Sequence, residues 1–191
     1  GIIGVFVFFW LISAGKLGFM PTFEELENPN NRFASEVYFA DGPIMNRYFE
    51  KENRKYIEYR EIPQSVIDAL IATEDVRFYD HSGVDVRGLF RVAKGLLTAN
   101  TSAGGGSTIS QQLAKMLFPR ESDLNVFELA IRKFREWVIA VRLEKSYTKE
   151  EILTMYLNKY DFLNLAVGIS SAADIYFQVP LDSLKVEQAA M

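Results

Sequence analysis

The 191-residue chain is 49% apolar and 24% charged, the balance of an ordinary folded protein, and its length allows one domain with a real core or one domain plus an appendage. A net charge of −4 excludes global attraction to nucleic acid or anionic lipid, so any anion site must be local. With no cysteine and one histidine, disulfides, Cys-ligated metal and His-rich zinc sites are excluded as well.

Residues 1–15 carry no charge. As a helix they would reach about 22 Å, short of the roughly 30 Å hydrocarbon core of a bilayer. The first residue is Gly rather than Met, so the stretch is expected to be the C-terminal part of a transmembrane anchor. A signal-peptide core and a buried soluble helix are the alternatives. Residues 16–62 read as a linker with a β-hairpin. Pro21, Pro29 and three Asn mark the linker, and Asp41-Gly42 between two apolar-aromatic runs marks the hairpin turn. Pro43 predicts that the second strand starts late or lies at an edge.

From Pro63 to Met191 the periodicity is helical, so the fold class is mainly α. Val66, Ile67, Leu70 and Ile71 define a helix over 63–74, and Val86–Leu97 repeats the pattern. Thr98–Gly106 is a small-residue loop. Thr108-Ile109-Ser110-Gln111 fits a capping box opening the next helix. The longest helix is expected over Asn125–Lys145, with Phe127, Ile131, Phe134, Val138 and Val141 on one face and Arg132, Lys133 and Glu136 opposite. Thr148 should cap a helix over Thr148–Asn158, with Glu150 and Glu151 in its first turn. Gly168–Phe177 and Leu181–Met191 are further helical segments.

Several groups could carry chemistry. Glu74, beside Asp75 at the end of an apolar helical pattern, would have its charged form disfavoured by apolar neighbours, which suits a general base. His81 could carry protons or hold its Gly-containing turn by hydrogen bonds. Gly104–Thr108 has the character of a phosphate cradle at a helix N-terminus, without the Gly-Lys-Ser/Thr order of a Walker loop. Lys115, two turns on, could extend such a site, with Gln111 and Gln112 as uncharged donors. Arg132 and Glu136 are spaced for an i, i+4 salt bridge, with Lys133 beside them. Taken one at a time, each of these is at least as well explained by structure as by chemistry.

Read in order, they resemble the family 51 glycosyltransferases, the peptidoglycan polymerases of class A penicillin-binding proteins and monofunctional transglycosylases. The pattern Glu-Asp-x-x-Phe-x-x-His-x-Gly-x-Asp is complete at Glu74, Asp75, Phe78, His81, Gly83 and Asp85. Gly-Gly-Ser-Thr-Ile-x-Gln-Gln-Leu-x-Lys runs from Gly105 to Lys115, and Arg-Lys-x-x-Glu is Arg132, Lys133 and Glu136. A fourth motif spans Lys149–Asn158, followed by Ser171-Ala172-Ala173 and Tyr176-Phe177. Met116 stands where the family usually has Asn, and Phe162-Leu163-Asn164 lacks a common Gly. The fifth motif is expected beyond Met191.

The resemblance implies a lysozyme-like, mainly helical glycosyltransferase domain over 63–191, with a membrane-touching jaw. It implies transfer of a lipid-linked glycan to the GlcNAc 4-hydroxyl of lipid II, with inversion and release of undecaprenyl pyrophosphate. Glu74 would be the base and Glu136 a second catalytic carboxylate. Asp75, Phe78, His81, Arg91, Ser107, Thr108, Gln111, Gln112, Lys115, Arg132 and Lys133 would bind substrate or pyrophosphate. No cofactor is certain; Glu136 could orient cations, hold a divalent ion such as Mg2+ or Mn2+, or assist departure. Expected partners are lipid II, lipid-linked glycan, the membrane and other cell-wall synthesis proteins, with no nucleic acid. The expected location is the bacterial inner membrane, by a single-pass anchor, with the domain on the periplasmic or extracellular side. The alternatives are a lysozyme-like hydrolase or lytic transglycosylase, which needs no pyrophosphate-binding cations, and a non-catalytic cell-wall scaffold.

Overall fold

The computed structural model describes residues 2–16, 35–38, 44–48, 56–98, 105–117 and 125–191. In chain order they form α1 (Ile2–Ser13), β1 (Ser35–Tyr38), β2 (Ile44–Tyr48), α2 (Gln64–Glu74), α3 (Val86–Leu97), α4 (Ile109–Leu117), α5 (Val126–Ser146), α6 (Lys149–Lys159), α7 (Ile169–Ala172) and α8 (Val186–Ala189). The architecture is mainly helical. β1 and β2 pair antiparallel, Ser35 opposite Tyr48, with an irregularity between Val37 and Tyr38. β2 begins directly after Pro43, a residue that cannot donate to a ladder. The predicted turn at Asp41-Gly42, the linker from 17 onward and most of the Thr98–Gly106 loop lie outside the described residues.

Two compact units divide the chain, Gly1–Pro29 with Glu74–Ile152, and Asn30–Thr73 with Leu153–Met191. In the first, the core is built from Phe78, Ile109, Leu113, Ala114, Ile139, Ala140, Leu143 and Ile152. In the second it is built from Ile57, Val66, Ile67, Leu153, Tyr156, Leu157, Ala166, Ala172 and Leu181.

The long helix α5 starts where the sequence pattern predicts, and a capping box fixes that start. Asn125 Oδ1 accepts from the Glu128 amide at 3.0 Å, and Glu128 Oε2 accepts from the Asn125 amide at 2.9 Å. Its buried stripe, however, is Glu136, Ile139, Ala140 and Leu143. That is the face carrying Arg132 and Lys133, opposite the apolar Phe127–Val141 face read from the sequence. The reason is that α5 is apolar on two sides. The predicted side receives α1 instead: Phe134 meets Phe8 and Phe9 edge-on at 5.3 and 5.6 Å. At its far end, Arg142 Nη2 donates to the backbone carbonyl and hydroxyl of Ser13. Phe127, two turns before Phe134, is left exposed. Among the described residues, no helix is long and apolar enough to cross a membrane.

In the second unit, Asn158 bonds both the amide and the carbonyl of Ile57, each at 2.9 Å. A bridge of Asp161 to Val167 closes a tight loop, and Leu163, Asn164 and Leu165 all take left-handed φ of 70°, 49° and 68°. Asn adopts that region readily, but the two Leu side chains tolerate it poorly. Tyr176 fastens the loop, its hydroxyl donating to the Phe162 carbonyl at 2.6 Å and accepting from Asn164 at 3.0 Å. The segment predicted as one helix over 168–177 is four α residues followed by a π turn, Ala173–Phe177. The segment over 181–191 is likewise broken, into a 3-10 turn, Leu181–Ser183, and α8.

Candidate active site

Every candidate residue lies in the first unit. Glu74 is the last residue of α2 and is exposed, so the apolar enclosure expected from sequence is absent. A donor holds it instead: Gln112 Nε2 lies 2.7 Å from Glu74 Oε2. Gln112 sits in the first turn of α4, so the placement of that helix sets the direction of the carboxylate.

Asp75 does different work from its neighbour. It is 7% exposed, and its Oδ2 accepts the amide of Ile109, the first residue of α4, at 3.1 Å. A buried protein carboxylate therefore already occupies the positive end of α4. That contradicts the phosphate-cradle reading of the Gly-Ser-Thr turn, because the helix N-terminus is capped from within. Gly104 itself lies outside the described residues.

The same carboxylate orients His81. Its Nε2 stands 3.0 and 3.1 Å from the two Asp75 oxygens, and Gly83 donates its amide to Nδ1 at 3.2 Å. Because an amide can only donate, Nδ1 is the unprotonated nitrogen and Nε2–H points to Asp75. His81 thus holds the turn, the plainer of its two sequence readings. Thr108 Oγ1 donates to the Gly83 carbonyl at 2.7 Å, and Gln111 Nε2 donates to the same oxygen at 3.2 Å. Thr108 also accepts the Gln111 amide at 3.2 Å, half of the predicted capping box. The other half is missing: the Gln111 side chain turns its Nε2 to Gly83, and its Oε1 is left buried without a partner among the described residues. Phe78, Thr108 and Gln111 are essentially sealed from solvent. With Asp75, they brace the site from below, buried beneath the exposed side chains rather than at its surface.

Gly83 has a second, steric reason to be glycine. Its φ is 94°, and a Cβ there would lie 2.7 Å from the Ala140 carbonyl carbon of α5. Gly83→Ala should therefore cost about 3 kcal/mol or more from backbone strain and overpacking together. Chemical denaturation of the variant checks this, the expected result being a lower midpoint.

Asp85 caps α3 through the Gly88 amide at 3.0 Å and pairs with Arg77. Burial pushes its carboxyl up, but the Arg77 hydrogen bond, the Gly88 amide and the nearby positive charge outweigh burial and hold it below the ordinary value. A lowered folded pKa gives stability that is full above the unfolded value of about 3.9 and is lost as pH falls through the folded value. Asp85→Asn should therefore lower stability at neutral pH and flatten its dependence below about pH 4, as read from melting temperature against pH.

The cations arise from α4 and α5. Lys133 Nζ donates to Ser107 Oγ at 3.0 Å and to Glu136 Oε2 at 2.9 Å. The ion pair is therefore i, i+3 from Lys133, not the predicted i, i+4 pair from Arg132. Glu136 is 9% exposed and Lys133 is much more open. Lys115 is exposed at the end of α4 and Arg132 is half-buried on α5; neither forms an ion pair among the described residues. Arg91, exposed on α3, donates to the Gly105 carbonyl at 3.2 Å and ties that helix to the glycine turn. No group of three or more His, Cys, Asp or Glu that could hold a metal occurs among the described residues.

Sequence reasoning missed Glu144 and Ser110. Their only signal was Glu144 lying eight residues after Glu136, on the same face of α5.

Comparison with known proteins gives the family. A family profile described as Transglycosylase matches residues 41–191. Penicillin-binding protein 1A of Escherichia coli (strain K12) and that of Pseudomonas aeruginosa are each 37% identical over 172 residues, covering 90% of this chain and 20% of the relative. Penicillin-binding protein 1A of Neisseria lactamica is 36% identical, covering 90% of this chain and 21% of its own. The chain thus spans about a fifth of the length of the curated relatives it matches. The family assignment rests on the motifs, their geometry and these matches together: the chain belongs to the transglycosylase family.

Proposed function

We propose that this lysozyme-like domain polymerises lipid II, with Glu74 as the base. The carrying observation is the division of labour between two carboxylates of the same unit. Glu74 is exposed and, among the described residues, held by an amide rather than a cation, which leaves it able to take a proton. Glu136 is buried and spent on Lys133. Glu74 takes the proton from the GlcNAc 4-hydroxyl of the acceptor as that oxygen attacks the anomeric carbon of the donor. The bond from that carbon to the pyrophosphate oxygen breaks on the opposite face, giving inversion, and the leaving group departs with the electron pair.

Lys133, Arg132 and Lys115 neutralise the charge that grows on the departing pyrophosphate, which is where fixed cations lower a barrier. Of the three roles open to Glu136, orienting Lys133 is the one its 2.9 Å contact supports. A divalent ion fits poorly on Glu136 alone, because the Lys133 ammonium competes for the same oxygen. Such an ion would need the substrate's own phosphates as ligands.

The membrane reading rests on apolar surface. Val86, Phe90 and Leu97 project as one exposed stripe of α3, and Val7 and Trp10 are exposed on α1. Both suit an enzyme anchored in the inner membrane, facing outward and working on a polyprenyl-linked substrate. Other cell-wall synthesis proteins are its expected partners.

The test uses the full-length, detergent-solubilised protein with labelled lipid II and, separately, preformed glycan. Polymer from lipid II with intact preformed glycan is expected. Digestion of the preformed glycan without polymer formation would favour the hydrolase reading and overturn this one.

A further inference from the structure

Lys149 opens the fourth motif, yet no step above uses it. Its ammonium donates to the His81 carbonyl at 2.7 Å and to Glu144 Oε1 at 2.8 Å, and stands 4.2 Å from the centre of the Phe78 ring. Glu144, on α5 and with a side chain only 5% exposed, also accepts the Ser110 hydroxyl of α4 at 2.5 Å. One cation and one anion therefore tie three segments together: the turn from Asp75 to Gly83, the first turn of α4, and the corner between α5 and α6. These are the segments that hold the base. Glu74 precedes the turn directly, and among the described residues its carboxylate is held by Gln112, two residues along α4 from Ser110.

We infer that Lys149 and Glu144 are positioning residues for the Glu74 carboxylate. This rests on the proposed role of Glu74 as base. Neither residue points at solvent as a substrate ligand would: Lys149 spends its donors on a carbonyl and a buried carboxylate, and covers an aromatic face. Removing the charge frees the His81 carbonyl and releases the turn from the α5–α6 corner, although the Asp75–Ile109 and Thr108–Gly83 bonds still fasten it to α4, so the base can shift on its mount. A displacement of the base by about an ångström costs on the order of 100-fold in rate.

The experiment compares the full-length protein with Lys149→Met, Lys149→Arg and the double variant Lys149→Met/Glu144→Met. It measures kcat and KM for lipid II together with melting temperature. Lys149→Met alone leaves Glu144 buried and unpaired, so both melting temperature and kcat should fall, kcat by about 10- to 100-fold with KM little changed. The double variant removes both charges, so its melting temperature should recover while kcat stays low, because the His81 carbonyl and Ser110 remain untied. Lys149→Arg should restore part of the rate. If kcat recovers along with melting temperature in the double variant, or if Lys149→Met keeps full kcat, the positioning role is overturned. An inactive wild-type protein would instead overturn the polymerase reading itself, so the two failures are distinguishable.

Discussion

Glu74→Gln should lower lipid II polymerisation by about 10²- to 10⁴-fold, the usual contribution of a positioned general base. The substitution is close to isosteric, and an amide oxygen can still accept the Gln112 hydrogen bond now 2.7 Å long. Glu74 is exposed, so its charge supports no core contact. Melting temperature should therefore stay within a degree or so of wild type, on the order of the small effects typical of surface substitutions. Loss of rate without loss of stability separates a proton-accepting carboxylate from a structural one. Activity within a few-fold of wild type would remove Glu74 from the chemistry.

Lys133→Met should cost about 10²- to 10³-fold in kcat, comparable to deleting one electrostatic contact to a developing negative charge. It should also lower the melting temperature, because Glu136 would keep a buried charge with its 2.9 Å partner gone. The double variant Lys133→Met/Glu136→Gln isolates the second effect. Stability should return in the double variant, since no unpaired charge remains, while the rate stays low. Steady-state kinetics and thermal denaturation on the same preparations separate the two. A single variant with wild-type kcat would show that the leaving group does not need this cation.

The helix starts were legible because they are written locally. Asn125 with Glu128, and Thr148 with Glu151, place their caps within four residues, and the structure forms both. The site was legible as a set of residue types in order. Its geometry was not, and the reasons are physical. The orientation of α5 depends on which of two apolar faces meets the core, and periodicity alone cannot rank them. The choice is settled by Phe8 and Phe9 of α1 taking Phe134. The Gly-Ser-Thr turn looked like an anion cradle because the carboxylate that fills it, Asp75, is 34 residues away in sequence. The exposure of Glu74 was misjudged for a similar reason: the apolar pattern of α2 ends at Ile71, and Ala72 and Thr73 beside Glu74 are exposed with it.

Following both products in one reaction tests the polymerase activity and its Glu74 base together. Full-length protein is given lipid II labelled in the sugar and in the pyrophosphate, and new glycosidic bonds and released polyprenyl pyrophosphate are counted against time. A Glu74 base requires that they appear together, one pyrophosphate for each bond, and that Glu74→Gln suppresses both equally. Bond formation that continues undiminished in Glu74→Gln, or pyrophosphate release without new glycosidic bonds, would contradict it.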